Sequence, residues 1–371
     1  MATPISISLL NVFLLLFSLE KGYAVEENEA TKSYLHVVKV NSLLPTTACN
    51  HSSSKEGAKV RSEQVYFIQE HFVFLGVVQV SRVRVLTIRY RLNLCSFYYA
   101  EGRRQSCSSS TCRYKVQYGD GSYSIGFFAA ETLTLSSSNV FENFLFGCGQ
   151  QNDGLFGQAA GLLGLGRSKL ALPSQTAKEY KKLFAYCLPA SSSSKGYLSL
   201  GGEVSKSVKF TPLSADFDST PFYGLDITGL SVGGRKLSID ESAFSAGTVI
   251  DSGTVITRLP STAYSELSSA FQNLMTAYPS TSGYSIFDTC YDFSKYDTVR
   301  IPKVGVTFKG GVEMDIDVSG ILYPVNGLKR VCLAFAGNDD ISVFGNVQQR
   351  TYQVVYDGAK GRVGFAPGGC S

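Results

Sequence analysis

The chain has 371 residues, of which 44% are hydrophobic and 17% are charged, with no Trp and a net charge of +4. This composition excludes a disordered chain and predicts a globular protein whose length suits two domains. So small a net charge gives no reason to expect a nucleic-acid partner. The three histidines, His36, His51 and His71, leave little material for a histidine metal site or a Ser-His-Asp triad.

The N-terminus carries an apolar stretch, Ile5–Leu19, which is shorter than the roughly 20 residues that a membrane-spanning helix needs. Small residues, Gly22 and Ala24, then occupy the positions expected before a cleavage point. Residues 1–24 are therefore predicted to be a secretory signal peptide, with an N-terminal anchor as the alternative because no Lys or Arg precedes the apolar stretch. We expect no stable membrane anchor. Nine cysteines suit an oxidising compartment, and their odd number leaves at least one without a partner in the chain.

Residues 59–104 differ in character from the rest of the chain. They contain eight Lys or Arg and three Glu and so carry a net charge of +5, which leaves −1 for the remainder. From Ser81 to Leu92 cationic and apolar residues alternate, which predicts a half-exposed strand. The segment is either a basic surface patch or, as we favour, a solvated strand or poorly folded insertion.

From Arg113 to Ser371 short β-rich runs are separated by Gly, Ser, Asn, Asp and Pro, which predicts an all-β architecture. Two helices interrupt it, at Ser174–Leu183 and Thr262–Ala277. Two apolar runs that end in Gly, at 159–166 and 341–346, suggest an internally duplicated fold. The predicted strands are Tyr114–Tyr118, Ala130–Leu135, Tyr197–Leu200, Val208–Thr211, Phe222–Val232, Gly247–Ile250, Val304–Phe308 and Tyr352–Tyr356.

Two motifs carry chemistry. Asp251 follows an apolar strand and precedes Ser-Gly-Thr, a loop whose N–H and hydroxyl groups can hold a buried carboxylate in its ionised form. Earlier in the chain, Tyr118–Gly126 has the glycine pattern of a hairpin tip between two strands. Each motif alone is equally typical of an ordinary turn or surface hairpin, so the prediction depends on their occurring together.

Taken in order, these motifs resemble the pepsin-like aspartic endopeptidases, and more narrowly the plant nepenthesin-like type. The resemblance implies two β-rich lobes with a cleft between them, each lobe contributing one Asp. The two carboxyl groups would share a proton and activate a water that hydrolyses a peptide bond, with no metal and no cofactor. The substrate would be a peptide or protein, and we expect a secreted (extracellular) or vacuolar monomer. The stretches that carry the resemblance are Val116–Leu135, Phe144–Gln175, Phe222–Gly234, Thr248–Pro260 and Val331–Ser371.

The resemblance also assigns roles to residues. Asp251 would be the second-lobe catalytic residue, supported by Ser252 and Gly253 and oriented by the Thr254 hydroxyl. The flap that covers substrate would consist of Tyr118, Gly119 and Asp120. The implied disulfides are Cys290–Cys332 and Cys187–Cys370, whereas Cys107, Cys112 and Cys148 would have lost their partners, unless Cys107 pairs with Cys112, and Cys49 and Cys95 have no assignment.

The implied domain order begins after the signal peptide with a propeptide-like segment, 25–58. The basic segment 59–104 then replaces the first-lobe strands. Residues 105–215 would form the rest of the N-terminal lobe with its flap, and 216–371 the C-terminal lobe.

One departure from the family pattern bears on activity. No Asp precedes Asp120, so the first-lobe catalytic motif is missing and the N-terminal lobe is expected to be incomplete. Three hypotheses follow. The natural product is an active acid protease that residues 59–104 misrepresent, or the chain is a non-catalytic peptide-binding relative, or two copies bring two Asp251 residues together.

Overall fold

A computed structural model of the chain describes residues 111–118, 121–135, 139–154, 162–191, 194 and 196–370. It also gives the backbone of three short strands, the first two being β1 (Pro4–Ser6) and β2 (Tyr34–His36). Apart from β1 and β2, the predicted signal peptide, propeptide-like segment and basic segment lie outside the described residues. The all-β prediction is confirmed, because strands greatly outnumber helices.

The described residues fall into two compact units, and the division comes after Lys181. The N-terminal unit is built on one antiparallel sheet in the order β3-β4-β5-β6. Inward-facing aromatic and apolar side chains alternate along β4 and β5, as a half-buried sheet requires, with Tyr114, Val116 and Phe128 all buried. The strands are β3 (Cys107–Ser108), β4 (Thr111–Gln117), β5 (Tyr123–Thr134) and β6 (Val140–Asp153).

Two single-turn helices, α1 (Leu172–Gln175) and α2 (Ala177–Tyr180), complete this unit. The prediction of one helix over Ser174–Leu183 is wrong. The chain takes left-handed backbone angles at Lys181 (φ 54°) and Lys182 (φ 56°), which a right-handed helix cannot contain. At Leu183 the chain already enters a strand.

The C-terminal unit consists of residues 182–371 together with β1 and β2. Its strands are β7 (Leu183–Cys187), β8 (Tyr197–Leu200), β9 (Lys209–Pro212), β10 (Gly224–Leu225), β11 (Ile227–Val232), β12 (Arg235–Lys236), β13 (Thr248–Ile250), β14 (Thr257–Pro260), β15 (Ser280–Thr281), β16 (Cys290–Tyr291), β17 (Thr298–Arg300), β18 (Val304–Phe308), β19 (Val312–Asp315), β20 (Leu322–Asn326), β21 (Arg330–Leu333), β22 (Phe335–Asn338), β23 (Ser342–Phe344), β24 (Gln353–Asp357) and β25 (Arg362–Ala366).

These strands form several sheets, two of which position the site. One is six-stranded, in the order β2-β8-β7-β24-β25-β9, and its described pairings are antiparallel. The other is five-stranded, in the order β10-β13-β23-β14-β22, and pairs β13 with β23 and β14 with β22 in parallel. Two four-stranded sheets, β12-β11-β18-β19 and β15-β16-β21-β20, and the pair β1-β17 complete the unit.

The longest described helix is α3 (Ser261–Leu274), and the apolar stripe predicted at Tyr264, Leu267, Phe271, Leu274 and Met275 is buried except at Leu274, which is 55% exposed. Its buried face carries Tyr264, Leu267 and Phe271, at the three- and four-residue spacing of one helix side. It ends at Leu274, three residues before the predicted end. A single turn, α4 (Val318–Ile321), is capped at its N-terminus by Asp317, whose carboxylate accepts the Ser319 N–H at 2.9 Å.

Aromatic side chains fill the core of the C-terminal unit. Phe308 stacks on Phe365 at 5.1 Å between ring centroids and meets Phe344 edge-on at 5.5 Å. Phe184 stacks on Tyr356 at 4.5 Å. The first two contacts join the end of β23 to β18 and β25, and the third joins β7 to β24, in a close-packed aromatic core.

Two disulfides cross-link the same unit. Cys187–Cys370 joins β7 to the C-terminal tail, and Cys290–Cys332 joins β16 to β21. These are the two pairs that the family resemblance implies. Among the described helices, none is both long and apolar enough to cross a membrane.

Candidate active site

Asp251 stands directly after β13, at the end of a buried apolar strand. The Ile250 N–H donates to the Tyr223 carbonyl at 3.0 Å, and the Asp251 N–H donates to the Phe344 carbonyl at 3.0 Å. Because Phe344 is the last residue of the parallel neighbour β23, the backbone of Asp251 is tied to that strand, while the preceding Ile250 is tied to Tyr223, the residue just before β10. The carboxyl group is therefore presented from a rigid strand end and not from a loose loop.

The following loop directs two hydrogen-bond donors at the Asp251 carboxyl group. The Gly253 N–H donates to Oδ1 at 2.8 Å, and the Thr254 hydroxyl donates to Oδ2 at 2.6 Å. Burial raises the pKa of Asp251, while the hydrogen bonds from Thr254 and Gly253 oppose that rise because they favour the ionised form. Burial and these hydrogen bonds thus act on the pKa of Asp251 in opposite directions, burial having the larger effect.

A second segment, Gly345–Val347, locks the loop from the other side. The Asn346 side-chain amide donates to the Ser252 carbonyl at 3.0 Å, and the Asn346 N–H donates to the Thr254 carbonyl at 2.7 Å. Gly345 must be glycine, since a Cβ there would lie 2.7 Å from the carbonyl carbon of Ile256. The sequence predicts a role for Asp251 to Thr254 but none for Asn346, which follows the apolar run that suggests an internally duplicated fold.

Gln348 holds the strand that follows the loop, β14, at its first residue, Thr257. It is fully buried, and its oxygen accepts the Thr257 N–H at 3.1 Å and the Thr257 hydroxyl at 2.6 Å. Its amide nitrogen donates to the carbonyls of Gly320 at 2.6 Å and Ala334 at 2.7 Å. All four hydrogen-bonding positions of the side chain are thus used. The signal that sequence reasoning missed is a polar pair, Gln348–Gln349, inside an apolar motif.

Tyr118 lies at the end of β4 in the N-terminal unit, where the chain reverses. Its N–H donates to the Ser122 carbonyl at 2.8 Å, and the Gly121 N–H donates back to the Tyr118 carbonyl at 3.0 Å. The predicted hairpin tip is therefore present. The other two predicted flap residues, Gly119 and Asp120, lie outside the described residues. No group of three His, Cys, Asp or Glu within the described ranges is placed to hold a metal ion.

Comparison with known proteins identifies the class. Family models described as xylanase inhibitor N-terminal and xylanase inhibitor C-terminal match residues 83–202 and 222–367. An aspartyl protease family protein of Arabidopsis thaliana is 57% identical over 277 residues, covering 73% of this chain and 58% of that relative. Aspartic proteinase nepenthesin-2 of Nepenthes gracilis is 37% identical over 284 residues, covering 72% and 63%. The chain thus spans less than two thirds of the length of these relatives.

Solved structures agree on the fold. The crystal structure of edgp superposes with a TM-score of 0.60 at 21% identity, covering 82% of this chain and 86% of that one. The crystal structure of basic 7S globulin from soybean gives a TM-score of 0.57 at 21% identity, covering 71% and 74%. The β-rich fold and the Asp-Ser-Gly-Thr loop define a pepsin-like protein. Together with the relatives, they show that the chain belongs to the plant pepsin-like aspartic protease family.

Proposed function

We propose that the protein acts as an aspartic endopeptidase in which Asp251 is a reacting carboxyl group. The observation that carries the proposal is the Asp251 loop itself: two donors favour the ionised carboxylate while burial favours the protonated form. Those opposing influences suit a group that must exchange a proton during each turnover. The names of the relatives, aspartyl protease and nepenthesin, support the same chemistry.

In the proposed reaction the ionised carboxylate takes a proton from a water whose oxygen attacks the peptide carbonyl carbon. A second, protonated carboxyl group donates to the carbonyl oxygen. The carbon–nitrogen bond of the resulting tetrahedral species then breaks: the amine leaves with a proton from the Asp251 carboxyl, and one hydroxyl of the tetrahedral carbon returns its proton to the second carboxylate as the carbonyl re-forms. The overall change adds one water across one peptide bond and needs neither a metal nor a cofactor.

The substrate class is an extended peptide or a protein. Tyr118, Gly119 and Asp120 would present hairpin backbone to such a peptide and pair with it as an added strand. The supporting residues of the reacting carboxyl are Ser252, Gly253 and Thr254. A monomer in the secretory pathway, delivered outside the cell or to a vacuole, remains part of the proposal.

A second candidate function is peptide or protein binding without hydrolysis. It is favoured by one specific observation, the absence of any aspartate before Asp120. Without the partner carboxyl group there is no acid to protonate the carbonyl oxygen, and removal of one member of a catalytic unit costs most of the rate. The descriptions of the matched family models name an inhibitor and not an enzyme, which is compatible with a binding role.

The test uses the full chain, with Asp251→Asn as the probe and Asp240→Asn as the matched control. Asp240 is an exposed carboxylate that caps a short helical turn. Incubation with a denatured protein at acid pH, followed by mass spectrometry of fragments, should show cleavage that Asp251→Asn abolishes and Asp240→Asn retains. Peptide binding without cleavage would favour the second candidate, and neither binding nor cleavage would contradict both.

Two further measurements separate the remaining hypotheses. Cleavage confined to a dimeric gel-filtration fraction would favour a site assembled from two copies of Asp251, and cleavage by a strict monomer would exclude it. Sequencing the transcript across codons 40–115 would show whether the natural product has an Asp-Thr-Gly or Asp-Ser-Gly motif in place of residues 59–104.

A further inference from the structure

The Phe344 carbonyl, which anchors the backbone of Asp251, accepts two hydrogen bonds. One comes from the Asp251 N–H at 3.0 Å and the other from the Gln349 side-chain amide at 2.9 Å. A carbonyl oxygen has two lone pairs and can accept both. The acceptor that anchors the Asp251 backbone is therefore itself held by the Gln349 side chain.

Gln349 is the first link of a chain of buried polar groups. Its nitrogen donates to Phe344, so its oxygen must be the acceptor for the Tyr186 hydroxyl, with which it is hydrogen-bonded. The Tyr186 hydroxyl also lies 3.1 Å from that of Tyr356. Since the Tyr186 proton goes to Gln349, Tyr356 must donate to Tyr186. All three side chains have 0% exposure.

The resulting order of donors is Tyr356 to Tyr186 to Gln349 to the Phe344 carbonyl, where it meets the Asp251 N–H. Each bond in such a chain polarises the next in a low-dielectric interior. Burial raises the pKa of both tyrosines, and the nearby charge of Asp251 contributes in the same direction. The two hydroxyls therefore remain protonated in acid and neutral solution, so that the direction of the chain is constant.

We propose that Tyr186 is a positioning residue for Asp251, acting through Gln349 and the Phe344 carbonyl. By holding that carbonyl it keeps the backbone of Asp251 in place, so that the Gly253 N–H and the Thr254 hydroxyl stay aimed at the carboxyl group. The inference rests on the proposed function, because it takes Asp251 to be the reacting group. The competing explanation is that these polar groups, together with the Ser252 side chain to which Tyr186 is also hydrogen-bonded, only satisfy one another in the core.

The test measures the ionisation of Asp251 directly in the full-length protein. Aspartate labelled with carbon-13 at the carboxyl group gives a signal that disappears in Asp251→Asn and can be titrated between acid and neutral pH. Tyr186→Phe should raise the pKa of Asp251 by about half a pH unit, a roughly threefold change in proton affinity, because weaker bonds from Gly253 and Thr254 stabilise the carboxylate less. If hydrolysis is observed, kcat should fall with KM little changed.

Tyr356→Phe is the matched control. It also removes one buried hydroxyl, but leaves the bond between Tyr186 and Gln349 in place, so its effect on the Asp251 titration should be less than a third as large. Gln349→Met breaks the chain one link closer to Asp251 and should shift the titration in the same direction as Tyr186→Phe. Equal shifts for the two tyrosine variants, or none for Tyr186→Phe and Gln349→Met, would overturn the inference.

Loss of folding in Tyr186→Phe and Gln349→Met, with Tyr356→Phe still folded, would also reject a positioning role in favour of a purely structural one. The titration needs no turnover, and this keeps the two proposals separate. A shift without any peptide hydrolysis would support the positioning role and count against the endopeptidase. Peptide hydrolysis with no shift in the Asp251 pKa would support the endopeptidase and count against the positioning role.

Discussion

Replacement of Gln348 by Met should be among the most destabilising single changes near the candidate active site. Met has nearly the same length but makes none of the four hydrogen bonds that Gln348 makes with Thr257, Gly320 and Ala334. The Thr257 hydroxyl would keep the Gly345 N–H, which it accepts at 2.9 Å, but would lose the acceptor for its own proton. Four buried groups would thus lose a partner.

At about 1 kcal/mol for each buried group left without a partner, the expected loss in the free energy of unfolding is roughly 4 kcal/mol. That is a large fraction of the 5–15 kcal/mol that is typical of a whole domain. Urea unfolding followed by far-ultraviolet circular dichroism measures it, since the chain has no Trp for fluorescence. The control is Gln353→Met, which removes a single bond, to the Tyr197 hydroxyl at 2.8 Å, and should cost about 1 kcal/mol.

If Gln348→Met lowers the free energy of unfolding by no more than about 1 kcal/mol beyond the loss for Gln353→Met, the reasoning is refuted. Water or backbone movement would then satisfy the groups that Gln348 leaves without a partner. The same variant should also loosen the segment from Val255 to Thr257. Faster hydrogen exchange at the Thr257 amide than in the Gln353→Met control would confirm that the loss is local to the loop.

Three further predictions follow from the same unit. Thr254→Val should raise the pKa of Asp251 further, because it removes a hydroxyl that favours the carboxylate. Thr254→Ser keeps a hydroxyl and should leave the pKa of Asp251 close to that of the parent. The same Asp251 pKa in both variants would contradict this role. Since the folded-state pKa of Asp251 is raised above its unfolded value, its contribution to stability falls as pH rises through the folded pKa. Asp251→Asn should therefore have a higher Tm than the parent at pH 7, and this difference in Tm should disappear near pH 3. A difference that became larger in acid would contradict the prediction. Thr351 is β-branched at φ 66°, so Thr351→Asn should stabilise by about 1 kcal/mol while the equally branched Thr351→Val should not; chemical unfolding of the pair tests this, and equal stabilities would reject strain at this position.

The parts of the site that the sequence predicted are those whose contacts are local. The Asp251 carboxyl meets Gly253 and Thr254, two and three residues away, so a strand followed by Asp-Ser-Gly-Thr already indicates the hydrogen-bonding pattern. The strands Tyr197–Leu200 and Val304–Phe308 match their predicted bounds for a related reason, since alternation and β-branching are properties of neighbouring residues.

The parts that the sequence did not predict depend on long-range contacts. Gln348 and Gln349 are polar residues for which the sequence predicts no buried role, yet both are fully buried because they hydrogen-bond to residues from distant parts of the chain. Thr257 is 91 residues from Gln348, and Tyr186 is 163 residues from Gln349. The predicted helix at 174–183 is wrong because Lys181 and Lys182 take left-handed backbone angles. A lysine in a sequence does not indicate such angles.

The long-range contacts around Asp251 bear on the lack of any Asp before Asp120. The described donors to the Asp251 carboxyl, and the buried polar groups behind its loop, all belong to residues 182–371. The described hydrogen bonds that hold the Asp251 carboxyl group therefore do not depend on any residue before Lys182. Two close carboxyl groups titrate in two coupled steps, because both cannot be ionised at equal cost. A lone, partly buried carboxyl group titrates in one step. The number of steps in the Asp251 titration therefore reports whether a second carboxyl group stands beside it, independently of any substrate.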